Sequence, residues 1–372
     1  MKNLFIVNTP LQMLTAYIIA NTYTCNENNY LFLQNPKGYK EWANSKCLAM
    51  ISSDDHTWQD IIILTSEQVR NQYKEDGIRS LLNNFKSIIN KNGKIDQVYL
   101  GNDKPIASQL AVEISGNVSF IRFDEGIGSY ITKKRKWQSK AAEWVTIKVL
   151  RMLAGLCSDM EYNLGSIGQG KAGTADYLYK PQLLTRYSPD AKEIGREAIK
   201  TAMSKITGQL QLTEVLDSEK CLLFLASPLV ERKRISLENE LAYLEKLRTI
   251  TLKSGLKMVY KTHHGEDDKK INYYRENLAG VDFFHSVEPI EVIFHALDKL
   301  KYVVSYMSSG IIYSDVFAQH SITPISTYKL WKMDNQTVAN DFYTQLELLM
   351  LKGGVLIPET EQQLEEIILS NL

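Results

Sequence analysis

The feature that most constrains the fold of this chain is a regular alternation of short apolar runs with longer amphipathic stretches. Runs bounded by turn residues are typical of buried strands, and the stretches between them have the period of helices that cover a sheet. This pattern predicts an α/β fold with parallel sheets. The predicted strands are Leu4–Val7, Tyr30–Leu33, Ile61–Leu64, Gln97–Leu100, Val118–Phe123, Cys221–Ala226, Leu256–Lys261, Val281–Phe284, Tyr302–Ser305 and Thr323–Ile325. The predicted helices include Gly77–Ile89, Pro105–Ser115, Leu237–Lys253, Pro289–Leu297 and Ser309–Ala318.

The length of the chain indicates two domains. Its 372 residues exceed the length of a typical single domain. The alternation is interrupted between Ser158 and Asp190, where glycine, serine, tyrosine and proline replace it. We therefore predict a Rossmann-like domain over residues 1–157, a connecting region over 158–211 and a second Rossmann-like domain over 212–372. Two open sheets of this kind are expected to face a central cleft, where their ligands bind.

Charge and cysteine usage narrow the class of function. The 43 basic residues balance the 43 acidic ones, so no net positive charge attracts nucleic acid, which we exclude as a partner. The four cysteines, Cys25, Cys47, Cys157 and Cys221, form no CxxC pair. This spacing disfavours a zinc site or a disulfide framework and suits a reducing cytoplasm.

The N-terminal segment contains an apolar stretch that could be mistaken for a signal peptide. Asn8, Thr9, Pro10 and Gln12 interrupt that stretch before it reaches the length of a membrane span. We interpret it as a buried strand followed by a helix, with Thr9 as the N-cap and Pro10 at the first helical position.

An acidic segment directly follows the predicted strand that ends at Phe123. It reads Asp124-Glu125-Gly126, with a further glycine at 128. Adjacent carboxylates raise each other's pKa, so one of them could serve as a general base toward a sugar hydroxyl. The alternative is an ordinary solvated turn.

A second segment, Lys261-Thr262-His263-His264-Gly265-Glu266, also follows a predicted strand. A histidine beside Lys261 could hydrogen-bond or protonate a departing phosphate oxygen. Adjacent side chains of an extended segment point in opposite directions, so we expect only one histidine to act. Zinc is the rival interpretation, but no HExxH spacing accompanies the pair.

A third segment, Ser305 to Gly310, lies at a predicted junction of strand and helix. Hydroxyls and backbone N–H groups at a helix N-terminus suit the single phosphate of a nucleoside monophosphate. Plain N-capping by Ser308 or Ser309 is the alternative, and the two are compatible.

In this order, the three segments resemble the motifs of bacterial sialyltransferases. Those families share an acidic D/E-D/E-G motif, a His-Pro motif and a Ser-Ser or Ser-Thr motif, which match Asp124-Glu125-Gly126, His263 and Ser308-Ser309. The opening Asn8-Thr9-Pro10-Leu11-Gln12-Met13 resembles glycosyltransferase family 52, the lipooligosaccharide sialyltransferases, which are related to the bacterial polysialyltransferases. The family's proline after the histidine is His264 here, which leaves open which of the two histidines is the acid.

The resemblance implies a GT-B type glycosyltransferase with an N-terminal acceptor-binding domain and a C-terminal domain that binds the CMP-sugar. It implies inverting transfer of sialic acid from CMP-Neu5Ac to a terminal galactose or sialic acid of a bacterial surface glycan, with no metal or other cofactor. A donor such as CMP-Kdo, or a catalytically silent nucleotide-sugar-binding protein, is the alternative. A homodimer is also expected from the resemblance.

The resemblance also assigns roles to residues. Asp124 or Glu231 is the candidate base, and His263 is the candidate acid. The remaining candidates contact the nucleotide and its phosphate (Lys261, His264, Glu288, Ser308 and Ser309) or form the acceptor-side loop (Asn8, Thr9 and Gln12).

A basic stretch, Lys133 to Lys136, precedes an amphipathic helix that begins near Trp137. The helix could rest on anionic lipid and bring the enzyme to a lipid-linked acceptor. We favour the alternative that its apolar face packs in the core. The expected location is the cytoplasm, with peripheral attachment to the inner face of the bacterial inner membrane if the lipid interpretation holds.

Overall fold

A computed structural model describes residues 1–34, 44–132, 135–188, 190–208, 210, 219–331 and 341–370. The chain divides into two compact units, Met1–Ile206 and Thr207–Leu372. Each has a parallel sheet covered by helices, so the predicted α/β class with two Rossmann-like domains is confirmed. None of the described helices is long and apolar enough to cross a membrane, and all four cysteines are free thiols.

The sheet of the first unit has seven parallel strands in the order β3-β2-β1-β4-β5-β6-β7. Their bounds are β1 Lys2–Val7, β2 Asn28–Gln34, β3 Asp60–Leu64, β4 Gln97–Leu100, β5 Phe120–Phe123, β6 Gly173–Leu178 and β7 Ala191–Glu193. The helices of this unit are Pro10–Thr22, Lys46–Ser53, Ser66–Asn90, Ile106–Ile114, Trp137–Ala154 and Arg196–Thr207. The chain reverses its strand order between β1 and β4, and ligands of open α/β sheets bind beside the carboxyl ends of such strands.

The region predicted as a connector, residues 158–211, contributes two strands to this first sheet. β6 pairs in parallel with β5, and β7 pairs with β6. Periodicity did not reveal them because β7 has three residues, all exposed, and glycines interrupt the preceding loop. The glycine that begins β6 leaves room for a buried arginine, since a Cβ at Gly173 would lie 2.0 Å from Nη1 of Arg122.

The sheet of the second unit has five parallel strands in the order β10-β9-β8-β11-β12. Their bounds are β8 Cys221–Leu225, β9 Lys257–Lys261, β10 Val281–Phe284, β11 Leu300–Ser305 and β12 Thr323–Ser326. The helices are Leu237–Lys253, Asp268–Asn277, Ile290–Ala296, Ser314–Phe317, Asp341–Lys352 and Glu361–Ser370. Here the strand order reverses between β8 and β11.

The amphipathic helix Trp137–Ala154 differs from the favoured sequence interpretation. Its apolar side chains do not all pack in the core, because Trp137 is 74% exposed, Trp144 51% and Met152 72%. Only Ile147 and Ala154 of this helix are buried. Of the basic stretch before it, Lys133 and Lys134 lie outside the described residues.

Candidate functional site

Asp124, the first carboxylate of the acidic motif, is completely buried directly after β5. Its Oδ1 accepts a hydrogen bond from the Gly126 N–H (2.9 Å), and its Oδ2 accepts from the Tyr179 N–H (3.1 Å) and the Tyr130 hydroxyl. Gly126 has a φ of 107°, a conformation that glycine adopts without strain. Asp124 therefore fixes the turn after β5 through both of its oxygens.

Glu125 is the partly exposed carboxylate of the pair. Its Oε2 accepts hydrogen bonds from Nδ2 of Asn102 (2.8 Å) and Nε2 of Gln12 (3.2 Å). Burial, and then the negative charge of Asp124, raise the pKa of Glu125 to about 8, although the two amide donors act in the opposite direction. A carboxylate with this pKa is a stronger base than an ordinary glutamate.

The opening loop supports Glu125 from β1. Thr9 is the N-cap of the helix Pro10–Thr22, and its Oγ1 accepts from the Gln12 N–H at 3.2 Å, so the predicted cap is confirmed. Oε1 of Gln12 accepts from the Asn8 N–H at 2.7 Å. Because this contact fixes the amide, Nε2 of Gln12 is directed at Glu125.

Asn102 is a site residue that sequence reasoning missed. It follows β4, the neighbour of β1 in the sheet, and its only sequence signal is a polar residue after an apolar strand. Two glycines make room for the cluster. A Cβ at Gly101 would lie 2.7 Å from the Gln12 side chain, and one at Gly128 would lie 1.9 Å from Oε1 of Glu125.

His263 lies in the loop after β9 and is half-buried. Its Nδ1 accepts a hydrogen bond from the Gly265 N–H at 2.9 Å. Because a backbone N–H can only donate, the proton of the neutral ring is on Nε2. Burial, followed by the charges of His264 and Arg232, lowers the pKa of His263 to about 4. The ring is thus a neutral donor at physiological pH.

The two histidines do not point in opposite directions. Their rings stack with centroids 4.1 Å apart and an interplanar angle of 29°, and His264 is exposed. The prediction assumed an extended segment, but the chain turns here, with the Glu266 N–H donating to the His263 carbonyl at 3.0 Å. His264 therefore covers one face of the His263 ring.

A cluster of charges beneath this loop holds it in place. Oε2 of Glu266 accepts from the His263 N–H at 2.7 Å. The buried Lys270 lies 2.9 Å from Glu266, 2.9 Å from Glu240 and 3.4 Å from Glu231. Glu231 also accepts from the Asp267 N–H at 2.9 Å. In this position Glu231 supports the histidine loop.

Two other predicted residues lie at the carboxyl ends of neighbouring strands of the second sheet, Lys261 as the last residue of β9 and Glu288 in the loop after β10. Nζ of Lys261 donates to the Ser286 carbonyl at 3.3 Å, and burial lowers the pKa of Lys261. Glu288, after β10, is buried, and its N–H donates to Oγ of Ser286 at 3.1 Å. Lys261 and Glu288 are thus both bonded to the same residue of the loop after β10.

The serine motif after β11 confirms the predicted N-cap at Ser308. Oγ of Ser308 accepts from the Gly310 N–H at 3.2 Å, and its N–H donates to Oγ of Ser305 at 3.0 Å. The predicted helix is shorter and tighter than expected, with a 3-10 turn over Ser309–Tyr313 before the four-residue helix Ser314–Phe317. Ser309 is partly exposed at the start of this turn.

Solved structures with the same architecture include the UDP-GlcNAc 2-epimerase from Methanocaldococcus jannaschii, which has 12% sequence identity to this chain and a TM-score of 0.53. The match covers 100% of this chain and 92% of the epimerase. The UDP-GlcNAc 2-epimerase from Neisseria meningitidis bound to UDP-GlcNAc has 14% identity and a TM-score of 0.50, covering 100% and 90%. These likenesses establish the fold alone, two Rossmann-like domains of the GT-B type. No curated protein matches the sequence.

The family comparison concerns the sequence itself. The model of the alpha-2,8-polysialyltransferase family matches residues 3–323 and so includes the opening loop, the acidic motif, the histidine loop and the serine motif. A family of sialyl-transferring enzymes implies a nucleotide-sugar donor and a glycan acceptor. The chain therefore belongs to the alpha-2,8-polysialyltransferase family, and it is a glycosyltransferase.

Proposed function

We propose that this protein is an inverting sialyltransferase that transfers sialic acid from CMP-Neu5Ac to a terminal galactose or sialic acid of a bacterial surface glycan, a lipooligosaccharide or a capsule. Membership of the polysialyltransferase family supports the reaction class, and the opening loop keeps its resemblance to family 52. The observation that carries the proposal is the placement of Glu125, a partly exposed carboxylate after β5 whose Oε2 accepts hydrogen bonds from Gln12 and Asn102.

Glu125, rather than Asp124 or Glu231, is the base in this proposal. Oδ1 of Asp124 is bonded to Gly126 and its Oδ2 to Tyr179, while Glu231 is bonded to the Asp267 N–H and to Lys270. As the acceptor oxygen bonds to the anomeric carbon, the ionised form of Glu125 takes the hydroxyl proton. Gln12 and Asn102 stabilise that ionised form by donating to its Oε2.

His263 acts on the leaving group. The bond between the anomeric carbon and the phosphate oxygen breaks, and its electron pair stays on the phosphate of CMP. Nε2–H of His263 donates to that oxygen, and the approaching negative charge raises the pKa of the ring from its low value in the free protein. Direct displacement inverts the anomeric carbon.

The donor is held by the loops of the second domain in this proposal. Ser308 and Ser309 hold the phosphate, while Lys261, His264 and Glu288 contact the nucleotide. CMP has one phosphate, so histidine and hydroxyl donors are proposed to stabilise its departure, and no step is assigned to a metal. Transfer is expected to continue in EDTA.

Peripheral contact with anionic lipid is also proposed, through the exposed stripe of the helix Trp137–Ala154. The exposed apolar side chains Trp137, Trp144, Val145, Val149 and Met152 share one side of the helix. The exposed Lys140 and Lys148 accompany them, and Nζ of Lys148 lies 5.5 Å from the Trp144 ring centroid. Tryptophan beside lysine is typical of helices that lie in a membrane interface.

The reaction is tested by incubating CMP-Neu5Ac with lactose or with sialyllactose in EDTA, following CMP release and product mass. A product heavier by one sialic acid residue establishes the donor, the acceptor class and independence of added metal. Transfer only from CMP-Kdo, or binding of CMP without turnover of either donor by folded protein, would overturn the proposal.

The lipid contact has a separate test. A Trp144→Ser, Met152→Ser variant is expected to lose co-sedimentation with vesicles that contain phosphatidylglycerol, while its activity on soluble lactose is unchanged. Co-sedimentation equal to that of the wild type would remove the lipid contact. A monomer-dimer shift in the variant would assign the stripe to a second copy of the chain instead.

A further inference from the structure

The first domain contains a cavity of about 620 Å³ beside the opening loop, a volume typical of small-molecule sites. Its walls come from the helix Ser66–Asn90 and the helix Ile106–Ile114, with Leu150 of the helix Trp137–Ala154 completing them. The lining is predominantly aliphatic and aromatic, and its central side chains are Val69, Ile78, Leu81, Leu82, Phe85 and Leu110.

A break in the helix Ser66–Asn90 shapes the cavity. Gly77 has a φ of 76° and a ψ of 178°, so the helix changes direction there. Val69 lies before the break and Leu81 after it, and both line the cavity while remaining only partly buried. Apolar side chains that are arranged around a hollow and left partly exposed to it favour an apolar ligand.

Hydrogen bonds link the cavity wall to the candidate base. Asn8, after β1, and Gln34, at the end of β2, line the cavity together with the polar Ser66 and Arg70, and Nδ2 of Asn8 donates to the Gln34 carbonyl at 2.6 Å. The Asn8 N–H is bonded to Gln12, which in turn is bonded to Glu125. Two hydrogen bonds therefore connect the wall of the cavity to the carboxylate that is proposed to deprotonate the acceptor.

We propose that this cavity binds a hydrocarbon chain of a lipid-linked acceptor, so that the enzyme recognises the aglycone as well as the sugar. This inference rests on the proposed function. The occupant is indicated by the apolar lining and by the helix Trp137–Ala154, which gives Leu150 to the cavity wall and exposes its apolar and lysine side chains on another side. Because Asn8 of the cavity wall is linked to Glu125 through Gln12, we expect the acceptors that fill the cavity to have a short glycan between the hydrocarbon chain and the reacting hydroxyl.

The test compares methyl, hexyl and octyl β-lactosides as acceptors, each below the concentration at which micelles form. Each buried methylene strengthens binding by up to about fourfold, so the KM of the octyl lactoside is expected to be at least roughly tenfold below that of the methyl lactoside. The kcat is expected to be similar for all three. Equal KM values with normal turnover of methyl lactoside would overturn the cavity proposal and leave the sialyltransferase proposal standing, whereas no turnover of any lactoside would count against the latter.

Substitutions in the cavity wall test whether the preference for octyl lactoside arises from the cavity. Ala107→Trp and Val69→Trp fill the cavity from opposite walls and are expected to raise the KM of octyl lactoside to that of methyl lactoside, without changing the KM of methyl lactoside. Ala142→Trp is the matched control, since Ala142 is also an exposed helical alanine but lies outside the cavity. An octyl preference that survives in both cavity variants, confirmed folded by circular dichroism, would overturn the assignment.

Discussion

The two candidate catalytic groups, Glu125 of the first domain and His263 of the second, are both affected most by burial, and with opposite results. Burial raises the pKa of Glu125 to about 8 and lowers that of His263 to about 4. Loss of water disfavours the charged form in each case, so near neutral pH both groups are predominantly uncharged in the free protein. Glu125 must therefore lose its proton before it can act as a base, and the neutral His263 ring can act as a hydrogen-bond donor through Nε2–H.

The hydrogen-bond partners that hold Glu125 and His263 in place also differ. Glu125 is bonded to Gln12 and Asn102, which are 113 and 23 residues away in the sequence. His263 is bonded to Gly265 and Glu266, its near neighbours. The first arrangement requires the ends of three parallel strands to come together, while the second is built within one loop. The geometry of Glu125 therefore depends on the fold of the whole domain, and that of His263 on a local turn.

The largest expected effect comes from removing the base. Glu125→Gln keeps the side-chain shape but cannot accept a proton, so kcat is expected to fall roughly 10³–10⁴-fold. Asp124→Asn is the comparison, because it weakens the turn without removing the base, and it is expected to lower the unfolding temperature more than Glu125→Gln does. A Glu125→Gln enzyme within tenfold of the wild-type kcat would contradict this assignment.

Glu125→Gln is also expected to change how the free energy of unfolding depends on pH. The folded-state pKa of Glu125 lies above its ordinary value of 4.5, so the folded protein prefers the protonated form, and wild-type stability decreases as pH rises from about 4.5 to about 8. Glutamine is neutral throughout. Urea unfolding is therefore expected to show that Glu125→Gln is stabilised relative to the wild type at pH 8 and not at pH 4.5.

The second-largest expected effect on kcat comes from removing His263. His263→Ala is expected to lower kcat roughly 10²–10³-fold, because the departing phosphate loses its donor. His264→Ala is the comparison: its kcat should remain within roughly fivefold of the wild type, because the exposed His264 ring stacks on His263 and is proposed to contact the nucleotide rather than the departing oxygen, so that its loss raises the KM for the donor. The reverse ranking of the two variants in steady-state assays would make His264 the acid.

Sequence patterns predicted the parts of this molecule that depend on local structure. All ten predicted strands are present, because short apolar runs between turn residues identify strands that are buried in parallel sheets. The caps at Thr9 and Ser308 were predictable for the same reason. The two strands that were missed, β6 and β7, are not apolar runs, and they are strands because β6 pairs with β5 and β7 pairs with β6.

The individual roles at the site could not be predicted in the same way. Asp124 and Glu125 are adjacent carboxylates in the sequence, and only the burial of Asp124 and its three partners distinguish them. Asn102 had no motif of its own and enters the site because β4 is the neighbour of β1. The roles of these residues depend on contacts between strands that are distant in the sequence, and patterns within a single sequence do not predict such contacts.

A smaller effect is expected from glycines beside the two candidate catalytic groups, Gly128 beside Glu125 and Gly265 beside His263. A Cβ at Gly128 would lie 1.9 Å from Oε1 of Glu125, whereas the nearest atom to a Cβ at Gly265 is Nδ1 of His263 at 3.3 Å. Gly128→Ala is therefore expected to displace the Glu125 side chain and to lower kcat roughly 10- to 100-fold. Gly265→Ala should cost less than roughly threefold. Equal effects on kcat, with equal unfolding temperatures, would contradict the steric argument.

The smallest expected effect is a displacement of the pH profile. The Gln12 and Asn102 amides lower the pKa of Glu125, so Gln12→Ala or Asn102→Ala is expected to raise that pKa further. Activity requires the ionised carboxylate, and therefore the limb of log kcat/KM that rises through about pH 8 should move to higher pH in both variants. Asn83→Ala, at an exposed helical position, controls for loss of an amide elsewhere. If the limb stays in place in both variants but disappears in Glu125→Gln, the amides position the carboxylate without changing its pKa, which burial and the charge of Asp124 would then set.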